Sequence, residues 1–249
     1  MLLLDFKVQA VLLLFCLITC TTQKRKFYSN YFNPDFQCSS VEELEDKRFY
    51  SKHLEGWNLA KTIYEKENLQ LGSVSNVIVG DSIVALFSKE QLNKEFPGLS
   101  IVTRGIAGDT SFTLLKRLEE NVFNLKPKSI IVHIGGNDLM FGKCISVIES
   151  NILQLVKRIK LYNPSTKIYF VSAPPTRASE LNSIIPTYNL FLLQLALSDK
   201  DIFYIDSWSE MREKDSPQIR AEFYRDSDFI HFNEKGYEVL GRLLRPYLK

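Results

Sequence analysis

Ser82, Asp228 and His231 are residues of the types that nucleophilic acyl chemistry needs. A serine hydroxyl attacks a carbonyl when a base removes its proton, and an imidazole is that base when a carboxylate holds its other nitrogen. Asp228 stands three residues before His231, close enough to hold Nδ1 and leave Nε2 for the serine. The chain has three histidines, and His231 alone has an aspartate at that spacing. His133 falls in an apolar run and reads as a strand residue near the site, while His53 lies in a charged stretch and reads as surface. Asp226 is a second acid close to His231.

The charge that develops on a carbonyl oxygen needs neutral donors. Candidates are the free N–H groups at the start of the helix after Gly80, the backbone N–H of Gly108 and the side-chain amide of Asn137. They lie in the blocks Gly80-Asp81-Ser82, Gly105-Ile106-Ala107-Gly108-Asp109 and Gly135-Gly136-Asn137-Asp138. Each block also has a plain structural reading. Asp81, Ser82, Asp109 or Thr110 can cap a helix, the Gly-Gly-Asn-Asp run can be a turn, and His231 can open the last helix. Neither reading wins from one block alone.

The elements that carry these blocks decide between them. Apolar runs of strand length occupy 76–79, 100–103, 129–134, 167–172 and 202–205. Helix-period segments lie between and after them, at 110–125, 145–161, 187–197 and 233–248. Strands that are apolar throughout and alternate with helices predict an α/β fold, a doubly wound parallel sheet covered on both faces. In such a sheet the reacting groups belong on loops beyond the carboxyl ends of the strands. The three glycine-containing blocks directly follow three strands, and the Asp228–His231 block ends the long loop after the last.

Together, "GDSI", "GIAGDTS", "IGGND" and "DFIHFNEKGY" resemble the blocks of the SGNH hydrolases, also called GDSL esterases. The chain is similar in particular to the branch with lysophospholipase-like and platelet-activating-factor acetylhydrolase-like proteins, from about residue 75 onward. The resemblance implies a three-layer α/β/α sandwich with a five-stranded, flavodoxin-like parallel sheet. It implies Ser82 as nucleophile, His231 as base and then acid, and Asp228 as the acid that orients it. Ser82, Gly108 and Asn137 would form the oxyanion hole. The implied activity is hydrolysis of a lipid or acylated-glycan ester, with no metal or cofactor. Acyl transfer to a glycan by the same residues, and a non-catalytic surface lipoprotein, are the alternatives. One departure is Thr103-Arg104, which stands where the family often places an asparagine.

Composition narrows the partners. The 249 residues are 45% hydrophobic and 24% charged, values of a chain able to bury a core. A net charge of +2, from 31 basic and 29 acidic residues, leaves no basic footprint for nucleic acid. The glycine spacing fits neither a dinucleotide fingerprint nor a P-loop.

Residues 1–20 read as a signal peptide or lipoprotein signal, its apolar core at 8–20, with Cys20 as a candidate for lipidation. Residues 21–72 read as a tether and a helical extension, opened by a capping box at Ser40-Val41-Glu42-Glu43 and running toward Ile63. Residues 73–249 form the hydrolase domain. The expected location is outside the cytoplasm, membrane-attached through the N-terminus or secreted. The alternative is an uncleaved anchor with the domain in the cytoplasm, since Lys24-Arg25-Lys26 follows the apolar run. The cysteines are Cys16, Cys20, Cys38 and Cys144, without zinc-site spacing, and for Cys38 and Cys144 two unpaired thiols are favoured over a disulfide. Loops 140–146, 173–186 and 207–227 should rim the pocket. Their Phe141, Trp208, Phe223 and Tyr224 either line it for an acyl chain or sugar or pack beneath their own loops, the latter being favoured.

Overall fold

Valine- and isoleucine-rich runs form the strands because branched side chains suit a pleated surface buried on both faces. In a computed structural model, which describes residues 29–40, 47–226 and 228–248, five such runs pair as one parallel sheet. They are β1 (Asn76–Gly80), β2 (Ile101–Gly105), β3 (Ser129–His133), β4 (Lys167–Val171) and β5 (Ile202–Ile205), in the order β2-β1-β3-β4-β5. Gly80 pairs with Gly105 on one side and with His133 on the other, so three strands end level. From β1 the chain crosses to one neighbour, β2, and later returns to the other, β3. This is the switch point at which an open α/β sheet leaves a crevice.

Successive side chains leave the sheet on opposite faces and feed two cores. Val77, Val79, Ile130, Val132, Ile168 and Phe170 belong to one. Helix α7 (Ile145–Tyr162) closes it with Ile148, Ile152, Leu155 and Ile159, and α8 (Ser179–Ser198) with Leu181, Ile185 and Leu192. On the other face Ile78, Ile131, Tyr169 and Val171 meet Phe87, Leu92 and Phe96 and the stripe Tyr237, Leu240, Leu244 of α10 (Glu234–Leu244). The result is the expected three-layer sandwich.

Between these lie α1 (Lys47–Leu71), α2 (Ser82–Ala85), α3 (Lys89–Glu95), α4 (Ser111–Leu115), α5 (Leu118–Asn121), α6 (Gly136–Met140) and α9 (Ser207–Met211). Short 3₁₀ turns cover Phe123–Leu125, Ala221–Phe223 and Arg245–Tyr247.

Several expectations change. The helix read at 110–125 is broken into α4, α5 and a 3₁₀ turn. The break falls at Arg117, whose φ of −130° is not helical and whose side chain enters the core. Helix α8 begins at Ser179 instead of 187 and runs through Pro186, so half of the loop read at 173–186 is helical. The first helix extends to Leu71, beyond Ile63, and α3, capped by Ser88, was not anticipated. Cys38 and Cys144 are bonded, contrary to the favoured unpaired state. Their 106-residue separation in sequence holds no clue that the chain returns to bring the Cα atoms within 4.8 Å. The signal segment, Cys20, the Lys24-Arg25-Lys26 cluster, the capping box and the side chain of His53 lie outside the described residues.

Candidate active site

Gly80 ends β1 against β3 so closely that a Cβ there would overlap the carbonyl of His133. That contact allows the chain to turn at once into α2. Asp81 is the N-cap, its Oδ1 accepting from the N–H of Ile83 at 2.9 Å, so Ser82 becomes the first residue of the helix. Its side chain faces the crevice. His231 Nε2 lies 2.9 Å from Ser82 Oγ, and His231 Nδ1 lies 2.9 Å from Asp228 Oδ2. These partners imply the tautomer in which Nδ1–H donates to Asp228 and Nε2 accepts from the serine.

The acid is held by its own loop. Asp228 Oδ1 accepts from the backbone N–H of Ile230 at 2.8 Å and of His231 at 2.7 Å. Burial raises its pKa, but those two N–H groups and the His231 ring outweigh this and leave the carboxyl below its ordinary value. Asp226, the other candidate acid, is exposed, and His231 takes Asp228 instead. His133 is 4% exposed with Nδ1 3.4 Å from Asp81 Oδ1, outside the row of Ser82, His231 and Asp228.

Asn137 lies in the first turn of α6, directly beyond β3. Its Nδ2 donates to the carbonyl of Asp109 at 2.9 Å, which turns the amide and leaves a second N–H for a ligand. Gly108, immediately before Asp109, has φ +79°, a conformation that side chains with a Cβ rarely adopt. The candidate donors thus come from loops after β1, β2 and β3, and the acid–base pair from the loop after β5.

Beneath them lies a network that motif reading misses. Asp109 and Arg117 are both 0% exposed. Arg117 donates to Asp109 Oδ2 from Nε at 2.8 Å and Nη2 at 2.6 Å. Nη2 also reaches the carbonyls of Gly80 at 3.0 Å and Arg104 at 2.9 Å. One guanidinium therefore ties the ends of β1 and β2 to the Gly108 loop. Asp109 Oδ1 accepts from Thr113 Oγ1 at 2.6 Å and from Trp57 Nε1 of α1 at 2.9 Å. Asp138, beside Asn137, accepts from the N–H and hydroxyl of Ser111 at 2.9 and 2.5 Å. Burial pushes its carboxyl up to about 6 despite those bonds.

The aromatics divide. Phe223 is buried in the second core, and Trp208 is half-buried against the first. Tyr224 is half-buried beneath the Arg177 guanidinium, 4.3 Å from its ring centre, and Phe141 is half-buried beyond α6. Phe229, between Asp228 and His231 in sequence, is 50% exposed and was not anticipated as a rim residue. Among the described residues no group of three His, Cys, Asp or Glu comes together as a metal would need.

Fold and site together define a class, and the comparisons agree: residues 78–239 match the model of the GDSL-like lipase/acylhydrolase family, and the chain belongs to that family. It is 26% identical over 118 residues to esterase TesA of Pseudomonas aeruginosa, an alignment over 43% of this chain and 58% of TesA. The chain thus spans under two thirds of the length of that curated relative. A Streptococcus pneumonia protein provisionally described as a platelet activating factor superposes with a TM-score of 0.73 at 21% identity, over 84% of this chain and 100% of that one. A GDSL-like lipase from Bacteroides thetaiotaomicron gives 0.66 at 21% identity, over 75% and 95% of the two chains. At such identities these structures speak for the fold.

Proposed function

We propose that this chain hydrolyses carboxylic esters through an acyl-enzyme on Ser82. The hydrogen-bonded row Ser82–His231–Asp228 carries the reading, and family membership supports it. Ser82 Oγ attacks the ester carbonyl carbon as its proton passes to His231 Nε2. Asp228, held ionised by its loop, stabilises the imidazolium that results. The carbonyl oxygen takes the negative charge and faces the N–H groups of Ser82, Gly108 and Asn137. As the C–O bond breaks, Nε2 returns the proton to the departing alkoxide. Water then gives its proton to His231 and attacks the acyl carbon. Collapse of that second intermediate releases the acid, and Ser82 regains its proton.

The substrate side is an acyl chain or acylated sugar. Exposed Phe229 and half-buried Tyr224 flank the Arg177 guanidinium, their ring centres 5.0 and 4.3 Å from it, and offer apolar surface beside the Asp228–His231 segment. The decisive experiment sets the full chain and Ser82→Ala against p-nitrophenyl esters from acetyl to palmitoyl and a lysophospholipid. The wild type should cleave at least one series, and the variant should lose on the order of 10⁶-fold in kcat. Undiminished turnover by Ser82→Ala would overturn the proposal.

Export belongs to the same reading. The Cys38–Cys144 bond supports it, because disulfides persist in oxidising compartments. Among the described residues no helix is long and apolar enough to cross a membrane. Attachment would therefore run through the N-terminal segment, with Cys20 as the lipidated residue. Fractionation of the full-length chain tests it, and recovery in the cytoplasmic fraction would overturn it.

A further inference from the structure

The family match begins at residue 78, yet two segments before it bind the elements that carry the site. One is α1. Trp57 Nε1 donates to Asp109 Oδ1 at 2.9 Å, and Tyr64 Oη donates to the carbonyl of Gly105 at 2.7 Å. Farther along, Asn68 Oδ1 accepts from Arg104 Nε and Nη2 at 2.9 and 2.6 Å. All three contacts fall at the end of β2 or on the loop that holds Gly108.

The other segment is the strap 29–40. Ser29 Oγ donates to the carbonyl of Met140 at 3.2 Å, at the C-terminal end of α6. Tyr31 Oη lies 2.6 Å from the carbonyl of Lys143 and 3.3 Å from that of Leu139. The strap is pinned by Ser39 N to Gly142 O at 2.8 Å, Cys144 N to Ser39 O at 2.9 Å, and the Cys38–Cys144 bond. Helix α6 is five residues long, too short to fix its own end.

We propose that these two segments position the oxyanion donor Asn137, with Trp57 as the principal positioning residue; this rests on the esterase reading above. Asn137 is held at two places: its amide by the Asp109 carbonyl, and its helix by the strap. Asp109 is fully buried, so each donor on its carboxylate compensates for lost water. Removing the Trp57 N–H leaves Oδ1 to Thr113 alone. The loop then relaxes, carrying with it the carbonyl that aims Asn137. The ground-state ester does not need that aim, whereas the tetrahedral intermediate does.

The test uses the full chain and p-nitrophenyl acetate. Trp57→Phe keeps the ring and deletes the N–H. It should lower kcat about tenfold with KM within about twofold, the mark of a group that serves the transition state. In an Asn137→Ala background the same change should cost less than about twofold, because the positioned donor is gone. A tenfold loss in both backgrounds, or no loss in the first, overturns the proposal. If melting shows that Trp57→Phe does not fold, Tyr31→Phe reads the strap by the same cycle. A wild type that cleaves no ester refutes the esterase reading. A wild type that cleaves, with both variants unaffected, refutes this inference alone.

Discussion

Asp228 and Asp109 each gather several donors, yet one carboxyl lies below its ordinary pKa and the other above it. Asp228 accepts two backbone N–H bonds and faces one imidazole, with its side chain 33% exposed. Asp109 accepts from Trp57, Thr113 and, twice, Arg117, with its side chain 0% exposed. Burial raises Asp109 more than Arg117 and the hydrogen bonds lower it. Contact with water thus outweighs the number of donors. The two positions suit different work: under the proposed mechanism Asp228 stays charged beside the imidazole, whereas Asp109 ties together the loops around it.

The largest effect that can break this comparison is on turnover. Asp228→Asn keeps shape and removes charge, so His231 loses its orienting acceptor and the preferred tautomer. It should lower kcat on the order of 10⁴-fold while the melting temperature barely moves. A variant that keeps a tenth of the activity would assign the acid's role elsewhere.

Next in size is a stability effect. Arg117→Met leaves Asp109 a buried, unpaired charge, which should cost on the order of 3–5 kcal/mol in denaturant unfolding. If the loss matches that of an exposed ion pair, such as Arg242–Glu210, the network is ornamental.

The smallest is a pH effect at Asp138, whose carboxyl stands at about 6 in the fold. A raised carboxyl binds its proton more tightly folded than unfolded. Stability therefore falls as pH rises from the ordinary carboxylate value to about 6, and above that the full penalty is present. Asp228, shifted downward, has the opposite sign: its contribution is present above the ordinary value and is lost as pH falls through the lowered one. Relative to Asp138→Asn, the wild type should gain on the order of a few degrees in melting temperature between about pH 7 and pH 5. Parallel melting curves across that range would remove Asp138 from this account.

The sheet was legible because strands buried on both faces leave unbroken apolar runs, and the reactive blocks were legible because the sheet dictates where they fall. Arg117 was not. In an amphipathic pattern it reads as the solvent side of a helix, whereas its partners Asp109 and the carbonyls of Gly80 and Arg104 lie inward and are brought to it only by the fold. Trp57 lies 52 residues before Asp109, beyond any local spacing rule. Helix α8 hid its first turns because a proline is ordinarily read as a boundary. Ser82, His231 and Asp228 stood out through residue type and order. What aims Asn137 is purely tertiary.

The Cys38–Cys144 bond has a consequence for the unfolded chain. It closes a ring, 106 residues in sequence, that holds β1, β2, β3, Ser82, Gly108 and Asn137, whereas Asp228 and His231 lie outside it. In the loop-entropy picture such a closure removes about 5 kcal/mol of freedom from the denatured ensemble. That gain is confined to the half of the molecule carrying Ser82, Gly108 and Asn137. On heating or dilution from denaturant, those groups stay tethered to one another, and the imidazole and its acid must find them from an unconstrained tail.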